Sequence, residues 1–155
     1  MQLDEIVDIF ELLDDWDQRY QYLIELGEQL PLMPDVEKID SNLVKGCMSR
    51  VWIDAQLINN RVVLHGDSDT SVIKGILALI IQLCEGQSVE NIQKMDMDNI
   101  FHRLGLDEHL SPNRHLGVYA MFDLMKQKVM ALHNPEHSPV LRESAESLNA
   151  SGPLK

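Results

Sequence analysis

Cysteine is almost absent from this chain: there are two in 155 residues, Cys47 and Cys84, and they do not form a CxxC pair. Two thiols cannot build the several bridges of a disulfide-stapled fold, and no secretory leader is recognisable, so a reducing, cytoplasmic address is expected. Long apolar runs are missing as well. The longest, Ile76–Leu83, is interrupted by Gln82 and falls far short of the roughly 18 to 20 residues that cross a bilayer. A soluble protein with no membrane partner is expected. Positive charge is scarce too: 13 Lys and Arg stand against 25 Asp and Glu, for a formal net charge of -12. Such a balance repels phosphate backbones, so protein or small-molecule partners are expected and nucleic acid is not. Histidine is present six times but without a metal-binding arrangement. His65, His102, His109 and His115 are scattered, and Pro135 between His133 and His137 prevents a helical i, i+4 pair. Neither a metal nor a cofactor is expected.

What the chain does contain is one thiol in a reactive setting. Cys47 lies in Val44-Lys45-Gly46-Cys47-Met48-Ser49-Arg50-Val51-Trp52. Gly46 permits close backbone approach, and Lys45 and Arg50 supply positive charge that favours a thiolate. Cys84 is the contrast: it ends the apolar stretch from Ile76 and reads as a small hydrophobe in a core.

The length, with 45% hydrophobic and 25% charged residues, suits one domain with one core. That domain is expected over residues 1–132, followed by a flexible tail over 133–155. Leu3, Ile6, Val7, Phe10 and Leu13 are spaced for an amphipathic helix. Asp14 or Asp15 should cap a second helix bearing Trp16, Tyr20, Leu23 and Ile24, with Gly27 as its stop. Leu30-Pro31-Leu32-Met33-Pro34 cannot continue it, and Asp35 to Asn42 reads as an extended, mobile lead-in to the cysteine. Val51 to Leu57 alternates with period two, Asn59-Asn60 offers a turn, and Val62-Val63-Leu64 returns, which makes a hairpin. His65 to Asp69 reads as a short third extended piece, with Ser68 or Asp69 capping a buried helix that runs to about Cys84. Short helices after Ser88 and Asp96 follow. Ser111 then caps a last helix with Pro112 in its first turn and Leu116, Tyr119, Phe122, Met125, Val129 and Leu132 at helical intervals. Helices, a meander of about three antiparallel strands, and more helices make an α+β fold.

Five ordered motifs now acquire a common meaning: Trp16-Asp17-Gln18-Arg19-Tyr20; Leu23 to Gly27 with Leu30-Pro31; Gly46 to Trp52; Gly66-Asp67-Ser68-Asp69 with Lys74-Gly75; and His109 to Arg114 with Gly117. Together the chain from about Phe10 to Leu132 resembles the SufE/CsdE family of sulfur-acceptor proteins. The resemblance implies a fold shared with IscU-type scaffolds, a cysteine desulfurase of the SufS or CsdA type as partner, a downstream cluster-assembly scaffold or other sulfur acceptor, and a homodimer. It makes Cys47 the persulfide carrier. With only Cys47 and Cys84 the chain lacks the three thiolates of the scaffolds themselves. One departure concerns the residues after the cysteine: SufE proteins commonly carry Gln-Ser-Gln, where this chain has Met48-Ser49-Arg50. CsdE-type members share the Arg before Val-Trp, so the departure blurs which desulfurase is the partner.

The resemblance places Arg114 near the active loop and the desulfurase contact, whereas sequence alone reads it as a solvated first-turn side chain. Asp69 reads first as a helix cap and second as a recognition residue. Trp52 reads as core. Two rivals to the carrier stand: an adaptor that stimulates the desulfurase without carrying sulfur, and a Cys-His hydrolase using His65 or His109 as base.

Overall fold

A computed structural model describes residues 2–133. Of the expected tail only His133 falls within that range; residues 134–155 lie outside the described residues.

Two helices open the chain. The first, α1 (Leu3–Leu12), buries Ile6 and Phe10 on the stripe the spacing predicts, and Asp15 caps α2 (Trp16–Glu28) by accepting from Gln18 N. Gly27 does not stop α2, as expected from sequence, but lies inside it. A Cβ there would sit 2.9 Å from Gly75 N, and a Cβ on Gly75 would sit 2.1 Å from Leu23 O. The two glycines let α2 cross the central helix at backbone contact, a packing reason for glycine rather than a capping one.

The hairpin pairs β1 (Val51–Ile58) with β2 (Arg61–Ser68) antiparallel, in register from Val51↔Ser68 to Ile58↔Arg61. Its two-residue turn has φ of +52° at Asn59 and +63° at Asn60, the left-handed pair that Asn tolerates and a right-twisted hairpin needs. Among the described residues the sheet has two strands, not about three. The expected third piece, His65 to Asp69, is largely the end of β2, because Gly66 does not break the ladder. A Cβ on Gly66 would lie 2.8 Å from Leu77 Cδ2, so the glycine makes room for a core side chain. One isolated bridge, Leu43↔Trp52, adds to the outer edge of β1.

Against the inner face lie α3 (Ser71–Cys84), touching β2 and α2, and the long α7 (Pro112–His133), touching β1. Between them come α4 (Val89–Gln93), α5 (Met97–Leu104) and α6 (Leu106–His109). Ser88 and Asp96 cap α4 and α5 with their side chains, and Gly105 ends α5 with φ +73°. The run from Ile76 to Ile80 is buried throughout, so α3 is the central helix its all-round apolar character predicted. Each such Ile or Leu contributes about 1.5–3 kcal/mol by leaving water. Among the described residues no helix is long and apolar enough to cross a membrane.

Three expectations fail locally. The α3 N-cap is Thr70, without a side-chain capping bond, rather than Ser68 or Asp69. Trp52 is only half-buried, on the face of β1 away from Val51 and Ile53, where Lys38 Nζ stands 5.4 Å from its ring. It lies beneath the lead-in loop and not in the core. Leu116 is 67% exposed, although it shares the helical spacing of the buried Phe122 and Met125.

Candidate functional site

Cys47 is held at the tip of a short loop whose two ends are tied. On the entry side Val44 N donates to Val51 O at 2.8 Å. On the exit side Arg50 N donates to Asp69 Oδ1 at 3.0 Å, and Asp69 N donates back to Arg50 O at 3.1 Å. Ser49 Oγ and Thr70 Oγ1 share a 2.7 Å hydrogen bond beside this clasp. The turn between the ties passes through Gly46 at φ +85°, where a Cβ would be strained. The cysteine is therefore carried on a turn that bulges between fixed points.

The lead-in to this loop is not the extended segment that its Pro-rich and polar composition predicts. It folds into two single 3-10 turns, Asp35–Glu37 and Asp40–Asn42, and is pinned to the sheet and to α7. Glu37 Oε1 meets His65 Nδ1 at 2.8 Å, and Lys38 Nζ meets Asp67 at 2.8 Å. Asn42 is buried; its Nδ2 donates to Glu37 O at 2.7 Å and its Oδ1 accepts from Lys128 Nζ. Burial alone would raise the Asp67 carboxyl, but hydrogen bonds from Lys38 and Lys74 outweigh it and hold the group below its usual range. Hydrogen bonding to Asp67 in turn raises Lys38. Asp67 thus joins the lead-in loop to α3 across the end of β2. Sequence reasoning missed both Asp67 and Asn42; the motif Gly66-Asp67-Ser68-Asp69 held the signal, without its partners.

Cys47 is half-buried, with one side against α7 and the other on a cleft of about 310 Å³. The cleft is lined by Met48, Ser49, Thr70 and Ile73 on one side, and by Ser111, Asn113 and Arg114 at the start of α7. Arg114 and Cys47, distant in sequence, thus share one cleft. Arg50 and Asp69 meet just behind it through the backbone clasp, while Gly46 and Lys45 lie outside its lining. Asp69, expected first as a cap, instead fastens the exit of the cysteine loop. Ser111 does cap α7, accepting from Arg114 N at 3.3 Å. The start of α7 is steadied from α2: Trp16 stacks on His109 with ring centroids 3.9 Å apart, and Tyr20 Oη donates to His109 O.

The histidines proposed as bases sit elsewhere. His65 is engaged with Glu37, and His109 lies on Trp16 with its Nδ1 at 2.9 Å from Gly105 O. Neither lines the Cys47 cleft. Among the described residues no group of three His, Cys, Asp or Glu side chains could hold a metal ion.

Comparison with known proteins agrees with this architecture. The family described as "SufE: Fe-S metabolism associated domain" matches residues 4–129. An uncharacterized SufE-like protein of Rhizobium meliloti (strain 1021) is 36% identical over 130 residues, covering 81% of this chain and 93% of that protein. An uncharacterized SufE-like protein of Rhizobium etli is 35% identical over 130 residues, covering 81% and 88%. Among solved structures, the solution structure of a hypothetical protein from Thermus thermophilus superposes with a TM-score of 0.71 at 21% identity, over 84% of this chain and 94% of that one. That likeness bears on the fold alone.

Proposed function

The chain belongs to the SufE family, associated with iron–sulfur metabolism, and from that premise we propose that it is a sulfur carrier. Cys47 takes sulfane sulfur from a cysteine desulfurase, stimulating it, and passes the sulfur on for iron–sulfur cluster assembly. The observation that supports this most is the placement of Cys47: a half-buried thiol at the tip of a tethered loop, open on one side to a cleft that an incoming group can enter.

The chemistry needs no cofactor on this chain. The Cys47 thiolate attacks the outer sulfur of a persulfide held on the desulfurase cysteine. The S–S bond there breaks as a new one forms to Cys47, and the desulfurase cysteine leaves as thiolate. One sulfur moves and no net oxidation occurs. Delivery to an acceptor thiolate repeats the exchange. Arg114 lines the cleft beside Cys47, and Lys45 and Arg50 flank the turn in sequence. The protein is a sulfur-transfer relay rather than a stand-alone enzyme. A Cys-His hydrolase is less well supported, since His65 and His109 are committed elsewhere.

Incubation with a cysteine desulfurase and cysteine, followed by intact-mass and peptide analysis, should find one added sulfur, on Cys47. Sulfur on Cys84, or on neither thiol, overturns the proposal. Full stimulation of the desulfurase by Cys47→Ser would leave an adaptor that carries nothing.

A further inference from the structure

We propose that Gly117 is the residue that positions the Cys47 sulfur, its missing side chain forming the seat in which the thiol rests. Gly117 stands in the second turn of a 22-residue helix, where glycine costs about 1 kcal/mol relative to alanine. It ends no helix, and it is not among the residues with positive φ. Conformational freedom therefore does not account for it.

Its surroundings do. A Cβ at position 117 would lie 2.7 Å from Cys47 Sγ, 3.5 Å from Cys47 Cβ and 3.8 Å from Cys47 Cα, and these are the three nearest heavy atoms outside its own helix and chain neighbours. The three atoms nearest the space above Gly117 all belong to the cysteine. The first of these distances is shorter than any real contact, so an added methyl group has to displace the sulfur or the helix. Displacing the sulfur is the easier, because Cys47 sits on a turn and Gly117 is a buried residue of a long helix that packs on β1. One turn further along α7, Ala120 faces the same loop: a Cβ on Gly46 would lie 3.9 Å from Ala120 Cβ. Helix α7 thus presents two small residues to the two residues of the turn.

A consequence follows for the carried sulfur, and this part rests on the carrier reading above. With the Gly117 backbone directly behind Sγ, an atom bonded to that sulfur extends away from this turn of α7, toward the cleft bounded by Ser49, Thr70, Ser111 and, in the first turn of α7, Arg114. The seat closes the α7 side of the sulfur to approaching thiols and oxidants.

Gly117→Ala tests the seat without reference to sulfur transfer. Under native conditions Cys47 should be alkylated by iodoacetamide severalfold faster in the variant than in the wild type. Melting supplies the second readout. In the Cys47→Ala background the 117 substitution should raise Tm, because the helix gains alanine and no sulfur opposes it. With Cys47 present the same substitution should raise Tm less or lower it, and this sign of coupling can still be read if the single variant is poorly folded. Equal alkylation rates, or equal Tm gains in both backgrounds, overturn the seat. If the coupling and the faster alkylation hold but wild-type Cys47 takes up no sulfur, the seat stands and the carrier reading falls. If Cys47 takes up sulfur and the 117 variant behaves like wild type, the reverse is true.

Discussion

The two thiols of this chain differ in every respect except their atoms. Cys84 ends α3 with no exposed surface, its Sγ 3.6 Å from Met95 Sδ, and burial pushes its pKa up to about 12, with Lys126 opposing only in part. Cys47 lies on a turn held at both ends, half-buried, with α7 behind it and a cleft of mixed lining in front. Desolvation keeps the first thiol protonated and inert, whereas the second has an approach route and charged neighbours. Place separates them: the same side chain is core filling at the end of one helix and lines an open cleft just before the hairpin.

The contrast breaks most completely by substitution of each cysteine in turn. Cys47→Ser should abolish sulfur uptake, as read by intact mass, and should cost less stability than the same substitution at the fully buried Cys84. Cys84→Ala should keep uptake. If uptake follows Cys84 instead, the assignment of roles is reversed. Cys84→Ser should cost about 1–3 kcal/mol in urea unfolding, because it buries a hydroxyl opposite a thioether. Retained uptake in that variant would sharpen the division between structural and carrying thiol.

Alkaline titration separates the two more finely. The folded pKa of Cys84, about 12, lies above the roughly 8.5 of an unfolded thiol. The native state therefore holds a proton that the unfolded state has lost, and stability falls as pH rises between these values. The full contribution is present below about pH 8.5, and the loss above it approaches about 1.4 kcal/mol per pH unit. Unfolding curves at pH 9 and pH 10.5 should show this loss in the wild type and less of it in Cys84→Ala. Tyr119, whose hydrogen bond to Asp98 with partial burial also raises its pKa to about 12, supplies a background slope common to both. The smallest expected effect is at the clasp. Asp69→Ala removes the acceptor for Arg50 N and should cost about 1 kcal/mol, with faster amide exchange at Arg50 and little change at Cys84. Uniformly faster exchange in both regions would mean that Asp69 supports the fold rather than the cysteine loop.

Much of the fold could be read along the chain because its signals are local. Asp15, Ser88, Asp96 and Ser111 all cap where their spacing to the following helices says they should, and Asn59-Asn60 turns the hairpin. The failures share one cause. Gly27 looked like a stop and is a crossing point, and Asp69 looked like a cap and is a clasp. In each, a residue with a common local role was recruited by a neighbour distant in sequence. Trp52 failed in the opposite sense: a large aromatic in an alternating strand lies on the face that the lead-in loop covers only in part.

Composition and local pattern were thus sufficient for the long helices, the hairpin and the burial of Cys84, since hydrophobic periodicity and capping chemistry act within a few residues. Sequence order alone could not say that Arg114 shares a cleft with Cys47, that Asp67 joins Lys38 to Lys74, or that Gly117 leaves the space Cys47 Sγ occupies. Those relations depend on distances of a few ångströms between segments tens of residues apart, which exist only after the α3 and α7 faces have closed on the hairpin.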